Sequence, residues 1–297
     1  MRFTLRQLEV FLATARHQNI TRAAESLAMS QSAASGALRD VENQFGVRLF
    51  DRRGKRLALS ELGRQVRPQA ENLYTDALAL EGALSGQQVA GQLSIGATLT
   101  IGNYLAVGMI ADFRRRYPGV EIGLSVANTA AIEAGVAGFE LGMGLVEGEI
   151  RHPELAVETW RKDELQVFAA PGHPLVGRGP LDDADLLAED WIVREPVSGT
   201  RQTFDRAMRG LSGELRIAME LQHTEAIKRA VEAGLGIGCV SSISLVDAFR
   251  RGTLVPLAVT GRQFDRELFI ITHRQKYQSE AMRRWITLCR ENGAGNG

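Results

Sequence analysis

The sequence predicts an α/β two-lobed domain preceded by an all-α winged helix-turn-helix and a long linker helix. Three observations lead there. Apolar residues step by three and four through the first 45 residues and give way to two short apolar runs around a cationic turn. A heptad-like leucine stripe follows from residue 61 to about 86, and from residue 91 onward β-prone runs alternate with helical ones. The expected divisions are 1–60 for the helix-turn-helix and 61–88 for the linker helix. The two-lobed part is 91–297, with one lobe over about 91–162 and 267–297 and the other over about 163–262.

Bulk properties limit the choices further. A chain of 297 residues, 44% of them hydrophobic, can bury two or three separate cores. Its 35 basic and 35 acidic side chains cancel, but their distribution is uneven. Through Arg64 there are 11 Lys and Arg against 6 Asp and Glu, and the remainder carries 24 against 29. Attraction for phosphate is therefore concentrated in the amino-terminal fifth. Cys239 and Cys289 belong to no CxxC spacing and read as reduced packing thiols, and no metal or other cofactor is expected. The opening MRFTLRQLEV lacks an uninterrupted apolar core of a signal peptide, and no run approaches the ~18 apolar residues of a membrane span. A cytoplasmic protein with no membrane partner is expected.

In the amino-terminal module, Leu5, Leu8, Phe11, Leu12 and Ala15 mark a supporting helix. Thr21 is a candidate N-cap for a short helix over Arg22–Ala28, and Met29-Ser30 is the turn. From Ser30 a third helix runs to about Phe45, burying Ala34, Leu38, Val41 and Phe45 and presenting Gln31, Ser32, Ser35 and Arg39 on its other face. Amides, hydroxyls and a guanidinium at a helix start can reach base edges and phosphates in a major groove. Val47–Phe50 and Leu57–Leu59 read as strands, and between them Asp51–Arg56 places Arg52, Arg53 and Lys55 in a hairpin tip suited to a phosphate backbone or a minor groove.

The segments Leu8–Phe11, Thr21-Arg22-Ala23-Ala24, Ser30–Ser35, Gly46–Phe50 and Asp51-Arg52 resemble the LysR-type transcriptional regulators. In that family the residues matching Gln31, Ser32 and Ser35, and the wing arginine matching Arg52, lie at the DNA. With Thr21, Arg22, Arg39, Arg53 and Lys55 they form the candidate set for double-stranded promoter DNA. Gly36 departs from the pattern, since many members carry arginine there.

After the wing, Ser60 can cap a helix from Glu61 to about Gly86, with Leu62, Val66, Leu73, Ala77, Leu80 and Leu84 on one stripe and Pro68 expected to kink it or end its first segment. A stripe of this kind between two domains calls for a partner helix. The resemblance implies a homo-oligomer, dimeric through this helix and expected to assemble as a tetramer. Residues 86–91, GQQVAG, read as a hinge.

Strands are expected near 92–97, 121–127, 141–146, 165–169, 191–193, 215–221, 237–240, 254–259 and 267–272, with helices between them. Such alternation gives open α/β sheets that bind ligands at the carboxyl ends of their strands. The resemblance implies the two-lobed fold of type 2 periplasmic binding proteins, with crossing strands expected near 162–166 and 260–267 and an effector in the cleft.

Two segments suit an anion. Thr98, Thr100 and Ile101 leave a strand and enter a helix, and Ser198-Gly199-Thr200 repeats that order in the other lobe, so two helix starts would converge on a small ligand. Asn128, Glu147 and His223 also fall at expected strand ends. Glu147 would take a proton from a protonated ligand, pair with Arg201, or act as a gate; His223 reads first as a packing or capping residue. ATLTIGNYL, the Arg194–Arg201 turn and HTEAIKRAVEAGLGIG resemble the subgroup tied to sulfur assimilation and sulfite sensing, which implies sulfite or a related oxyanion, with a small carboxylate as the alternative. Gly234–Gly238 falls between a helix and a strand, the reverse of a dinucleotide fingerprint, and no catalytic motif is present, so an enzyme is not expected. A small-molecule carrier without a DNA function is the remaining competing reading.

Overall fold

A computed structural model describes residues 2–53, 56–84 and 91–294. Helix α1 (Leu5–His17) starts at a capping box in which Thr4 and Gln7 satisfy each other's backbone. Helix α2 (Ile20–Ser26) is capped by Asn19, whose side chain accepts from Thr21 and Arg22 N–H, so the expected Thr21 cap moves two residues upstream. The Asn carboxamide reaches those donors from an extended backbone, leaving the Thr21 side chain exposed. Helix α3 (Gln31–Phe45) is capped by Ser30 as expected. Val10, Phe11, Ala24, Ala34, Leu38 and Phe50 share one core beneath these helices.

The wing begins later than expected. Strands β1 (Phe50–Arg53) and β2 (Arg56–Leu59) pair with Phe50 opposite Leu59 and Arg53 opposite Arg56. The run before β1 is diverted because the Glu42 carboxylate accepts from Leu49 N–H at 2.7 Å and from Phe50 N–H at 3.3 Å. Arg52 and Arg53 consequently belong to β1 and not to the hairpin tip. Lys55 and the hinge over 86–90 lie outside the described residues.

Helix α4 (Glu61–Leu84) continues through Pro68 without ending there. Its first turns, through Leu62 and Val66, close the amino-terminal core, while Leu73, Leu80 and Leu84 are exposed.

The rest is a nine-stranded mixed sheet with helices on both sides. β3 (Gly91–Ala97) feeds a helical run of α5 (Leu99–Ile101), a π turn over Gly102–Ala106 and α6 (Val107–Arg116). β4 (Val120–Val126), α7 (Thr129–Ala137), β5 (Met143–Glu147) and the long β6 (Leu155–Ala169) follow. The second lobe adds α8 (Asp183–Leu187), β7 (Asp190–Arg194), α9 (Gly199–Ala207), β8 (Arg216–Leu221), α10 (Thr224–Glu232), β9 (Ile237–Ser241), α11 (Val246–Arg251) and β10 (Val255–Leu257). β11 (Asp265–His273) and α12 (Glu280–Ala294) return to the first lobe.

Strand order is β4-β3-β5-β11-β6-β9-β7-β8, with β10 also on β6. β6 serves both lobes: its first part pairs with β11 and its last part with β9 and β10. The crossings are therefore parts of two long strands, 155–169 and 265–273, not separate short ones. Each lobe has a core on either face of its part of the sheet, centred on Phe113 and Trp285 and on Ile132 in the first lobe, and on Trp191 and Phe204 and on Ile227 in the second.

Candidate functional site

On the amino-terminal module, α3 turns Ala34 and Leu38 into the core and leaves Gln31, Ser32 and Arg39 exposed, with Ser35 half-buried beside them. The Ser30 and Ser32 hydroxyls lie 3.0 Å apart, and Arg39 Nε donates to Ser35 O at 3.2 Å, so the row is polar and loosely held. Thr21 and Arg22 are exposed at the start of α2. A cation and several short hydroxyl and amide groups on the first turns of a free helix face suit a major groove.

In the two-lobed part, the carboxyl ends of β3, β5 and β7 meet the starts of α5 and α9. Thr98, Thr100, Glu147, Ser198 and Thr200 are all buried there. The lobes touch at this point: a Cβ on Gly199 would lie 2.5 Å from Glu147 O, so only glycine allows the start of α9 to approach β5 so closely. Thr98 is the N-cap of α5, yet its hydroxyl donates to the Glu147 carboxylate and caps nothing. Ser198 Oγ accepts from Thr200 N–H at 3.2 Å, and Thr129, at the start of α7, donates to Glu147 O at 2.8 Å. Asn128 caps α7 through Ala131 N–H.

A buried arginine holds this cluster together. Arg266 Nε donates to Asp163 Oδ2 at 2.7 Å, and its Nη1 donates to Thr200 Oγ1 at 3.0 Å and lies 3.7 Å from Glu147 Oε1. Ser241 donates to the same Asp163 carboxylate at 2.9–3.0 Å. Arg266 and Asp163 face each other directly across β11 and β6. Two carboxyl groups thus share one guanidinium. The Arg266 Nη2 is buried with no hydrogen-bond partner, a state that costs on the order of 1–3 kcal/mol.

Some expectations are corrected. Arg201 does not pair with Glu147; it binds Asp205 at 2.8 Å, Glu220 at 2.7 Å and Arg194 O at 2.9 Å, because the turn of α9 points it away from β5. His223 is the N-cap residue of α10 but makes no side-chain cap and is exposed. Ile101 packs its side chain into the first lobe's core. Asp163, Ser241 and Arg266 were not among the residues expected. The signal for them was alternation: Arg266 shares a strand face with Leu268 and Ile270, and Asp163 with Leu165 and Val167, which puts charges on buried faces.

Comparison with known proteins agrees with this architecture. Residues 5–64 match the bacterial regulatory helix-turn-helix family model of the lysR family, and residues 86–294 match the LysR substrate binding domain. The chain belongs to the LysR family of transcriptional regulators. It is 43% identical to the HTH-type transcriptional regulator YeiE of Escherichia coli K12 over 97% of this chain and 98% of that one. Full-length OxyR from Pseudomonas aeruginosa superposes with a TM-score of 0.72 at 19% identity, covering 98% of this chain and 97% of that chain. The regulatory domain of CcmR from Synechocystis, solved in complex with 2-PG, gives a TM-score of 0.65 at 25% identity, covering 69% of this chain and 99% of that chain. This LysR regulator thus combines a DNA-binding helix-turn-helix with an effector-binding domain, and its relatives are regulators and not enzymes.

Proposed function

We propose that this LysR regulator binds its operator through Gln31, Ser32, Ser35, Arg39 and the wing, and that a small oxyanion, sulfite first among candidates, controls it from the cluster between the lobes. The observation that carries the ligand class is Arg266: a buried guanidinium with an unpartnered Nη2 beside Thr200 and the start of α9. An oxyanion reaching it would gain charge-assisted bonds and the hydroxyls of Thr98, Thr100 and Ser198. Glu147 opposes a fully ionised ligand in the same place, and a hydrogen sulfite that keeps one proton relieves the conflict by donating to that carboxylate. Sulfate has no such proton at neutral pH. The resemblance of 97–105, 194–201 and 223–238 to sulfite-sensing relatives supports the same choice.

Calorimetric titration of the full chain with sulfite, sulfate and small carboxylates tests it. Sulfite is expected to give the tightest binding, and Glu147→Gln to narrow the gap between sulfite and sulfate. Heat from carboxylates alone would overturn the oxyanion and favour the second reading, a carboxylate metabolite. Leu73 lines an apolar groove of about 400 Å³ between α1, α3 and α4, and Leu80 and Leu84 are exposed farther along α4. We infer that the α4 of a second copy covers this groove, giving a dimer that sets the spacing of two α3 helices, with a tetramer as the larger assembly.

A further inference from the structure

Two elements run from the buried cluster to the linker helix. Helix α7 starts at Asn128 and Thr129, whose hydroxyl holds Glu147 O, and ends at Gly138 and Phe139. Strand β11 carries Arg266 near one end and His273 at the other, followed by the turn over 274–277. At those far ends α4 is docked. The Arg67 guanidinium donates to Gly138 O and stands 5.6 Å from the Phe139 ring centroid. Lys276 Nζ stands 5.3 Å from the same ring, and the His273 ring centroid lies 4.2 Å from it. Asn72 clasps the turn, donating to Gln275 O at 3.0 Å and accepting from Tyr277 N–H at 2.7 Å.

The dock is not a settled interface. Phe139 is a buried non-glycine residue at φ +58°, a left-handed conformation that persists only when its surroundings impose it. Arg67 Nε and Glu71 Oε1 are buried without hydrogen-bond partners, although the two side chains approach within 3.7 Å. A left-handed backbone at Phe139 and a long Arg67–Glu71 contact are features that their surroundings impose, so a change in those surroundings acts directly on the dock.

We propose that this dock is the contact through which the cleft reaches the linker helix within one chain: α7 and β11 act as struts, and Phe139 with the turn over 274–277 is the joint on which α4 rests or lifts. The proposal rests on reading the Glu147–Arg266 cluster as the effector site. A ligand there shifts the dock only as far as its affinity differs between the two states. Glu147 and Arg266 supply that difference, because a bound anion must rearrange their side-chain contacts; the Glu147 backbone carbonyl is held by Thr129 at the start of α7, and Arg266 is itself part of β11.

The test is to fix the dock. Asn72→Cys and Gln275→Cys in the full chain, joined by a short bismaleimide, hold α4 on the turn; the same variant capped with N-ethylmaleimide leaves it free. Cys239 and Cys289 are fully buried and do not compete for the reagent. Operator affinity is measured with and without sulfite, on a duplex selected from a random pool by the wild-type chain. The free form, which has lost the Asn72 clasp, is expected to keep a sulfite response and to differ from wild type in ligand-free operator affinity in the same sense as Asn72→Ala, and the joined form to change less than twofold on adding sulfite while still taking it up in the calorimeter. Asn72→Ala, which loosens the dock without any reagent, is expected to shift ligand-free operator affinity opposite to the cross-link. If sulfite gives no heat, the effector reading fails, and a difference in operator affinity between joined and free forms still establishes the dock. Equal affinities in joined and free forms, with and without sulfite, overturn it.

Discussion

Arg266 is the residue on which the interlobe cluster depends. Its side chain and those of Glu147 and Asp163 are at most 2% exposed, so removing the guanidinium strands two carboxylates away from water. Arg266→Met keeps the length and the apolar stem but not the charge. Breaking one partner out of a buried ion pair costs about 3–5 kcal/mol, and a urea midpoint well below that of wild type is the expected result. A second residue-scale prediction concerns His273. Its Nδ1 accepts from Gln275 N–H at 3.1 Å, a bond that a proton on Nδ1 would break. Burial pushes its pKa below the ordinary 6.5; Lys276, His152 and Arg67 press the same way, and Glu154 opposes them. Between the depressed folded value and 6.5 the unfolded chain binds the extra proton, so stability rises with pH across that window and levels off above it. His273→Gln is expected to flatten the slope of urea midpoint against pH there, and an unchanged slope would refute the assignment.

At the scale of elements, helices α1, α2 and α3 were legible because three- and four-residue spacing survives in a small module with one core. The wing was displaced because the Glu42 side chain captures two backbone N–H groups, a tertiary bond that no local pattern announces. Residues 155–164 of β6 were missed for a related reason: ETWRKDE is too polar for a core strand, yet it lies on a crossing where one face meets solvent. Of the candidate cluster, the turn residues Thr98, Ser198 and Thr200 were readable from strand-to-helix order. For Asp163 and Arg266 alternation signals a charge on a buried face but not their meeting, which depends on the register of two strands about 100 residues apart. Gly36 within α3 gives a prediction at this scale. A Cβ there meets nothing within 4 Å, so packing does not ask for glycine in mid-helix. Gly36→Ala is expected to stabilise the chain by about 0.5–1 kcal/mol through helix propensity alone. A destabilised variant in thermal unfolding would mean that the position is conformationally special.

For the whole molecule, the question is what holds one lobe against the other. The contact of Gly199 with Glu147 lies beside the cluster, and a second contact lies farther along the lobe boundary. There the π turn presents Tyr104 to α10: its hydroxyl donates to Glu225, while Lys228 binds Glu225 at 2.7 Å and Ser244 O at 3.0 Å and stands 5.6 Å from the Tyr104 ring centroid. Burial and the Glu225 carboxylate raise the Tyr104 pKa, which keeps the phenol protonated and able to donate at any physiological pH. A π turn in place of continued α-helix is the kind of local departure that accompanies function, and here it sets which side chain crosses between lobes. Tyr104→Phe keeps the ring beneath Lys228 and removes only the hydrogen bond. A bond to a charged, half-exposed acceptor contributes about 1 kcal/mol, so the closed form should lose about fivefold in population and the effector should leave about fivefold faster in stopped-flow measurements. The association rate is expected to hold or rise, since opening is easier. Release at the wild-type rate would place the control of closure at the Gly199–Glu147 contact, and the π turn would then serve packing alone.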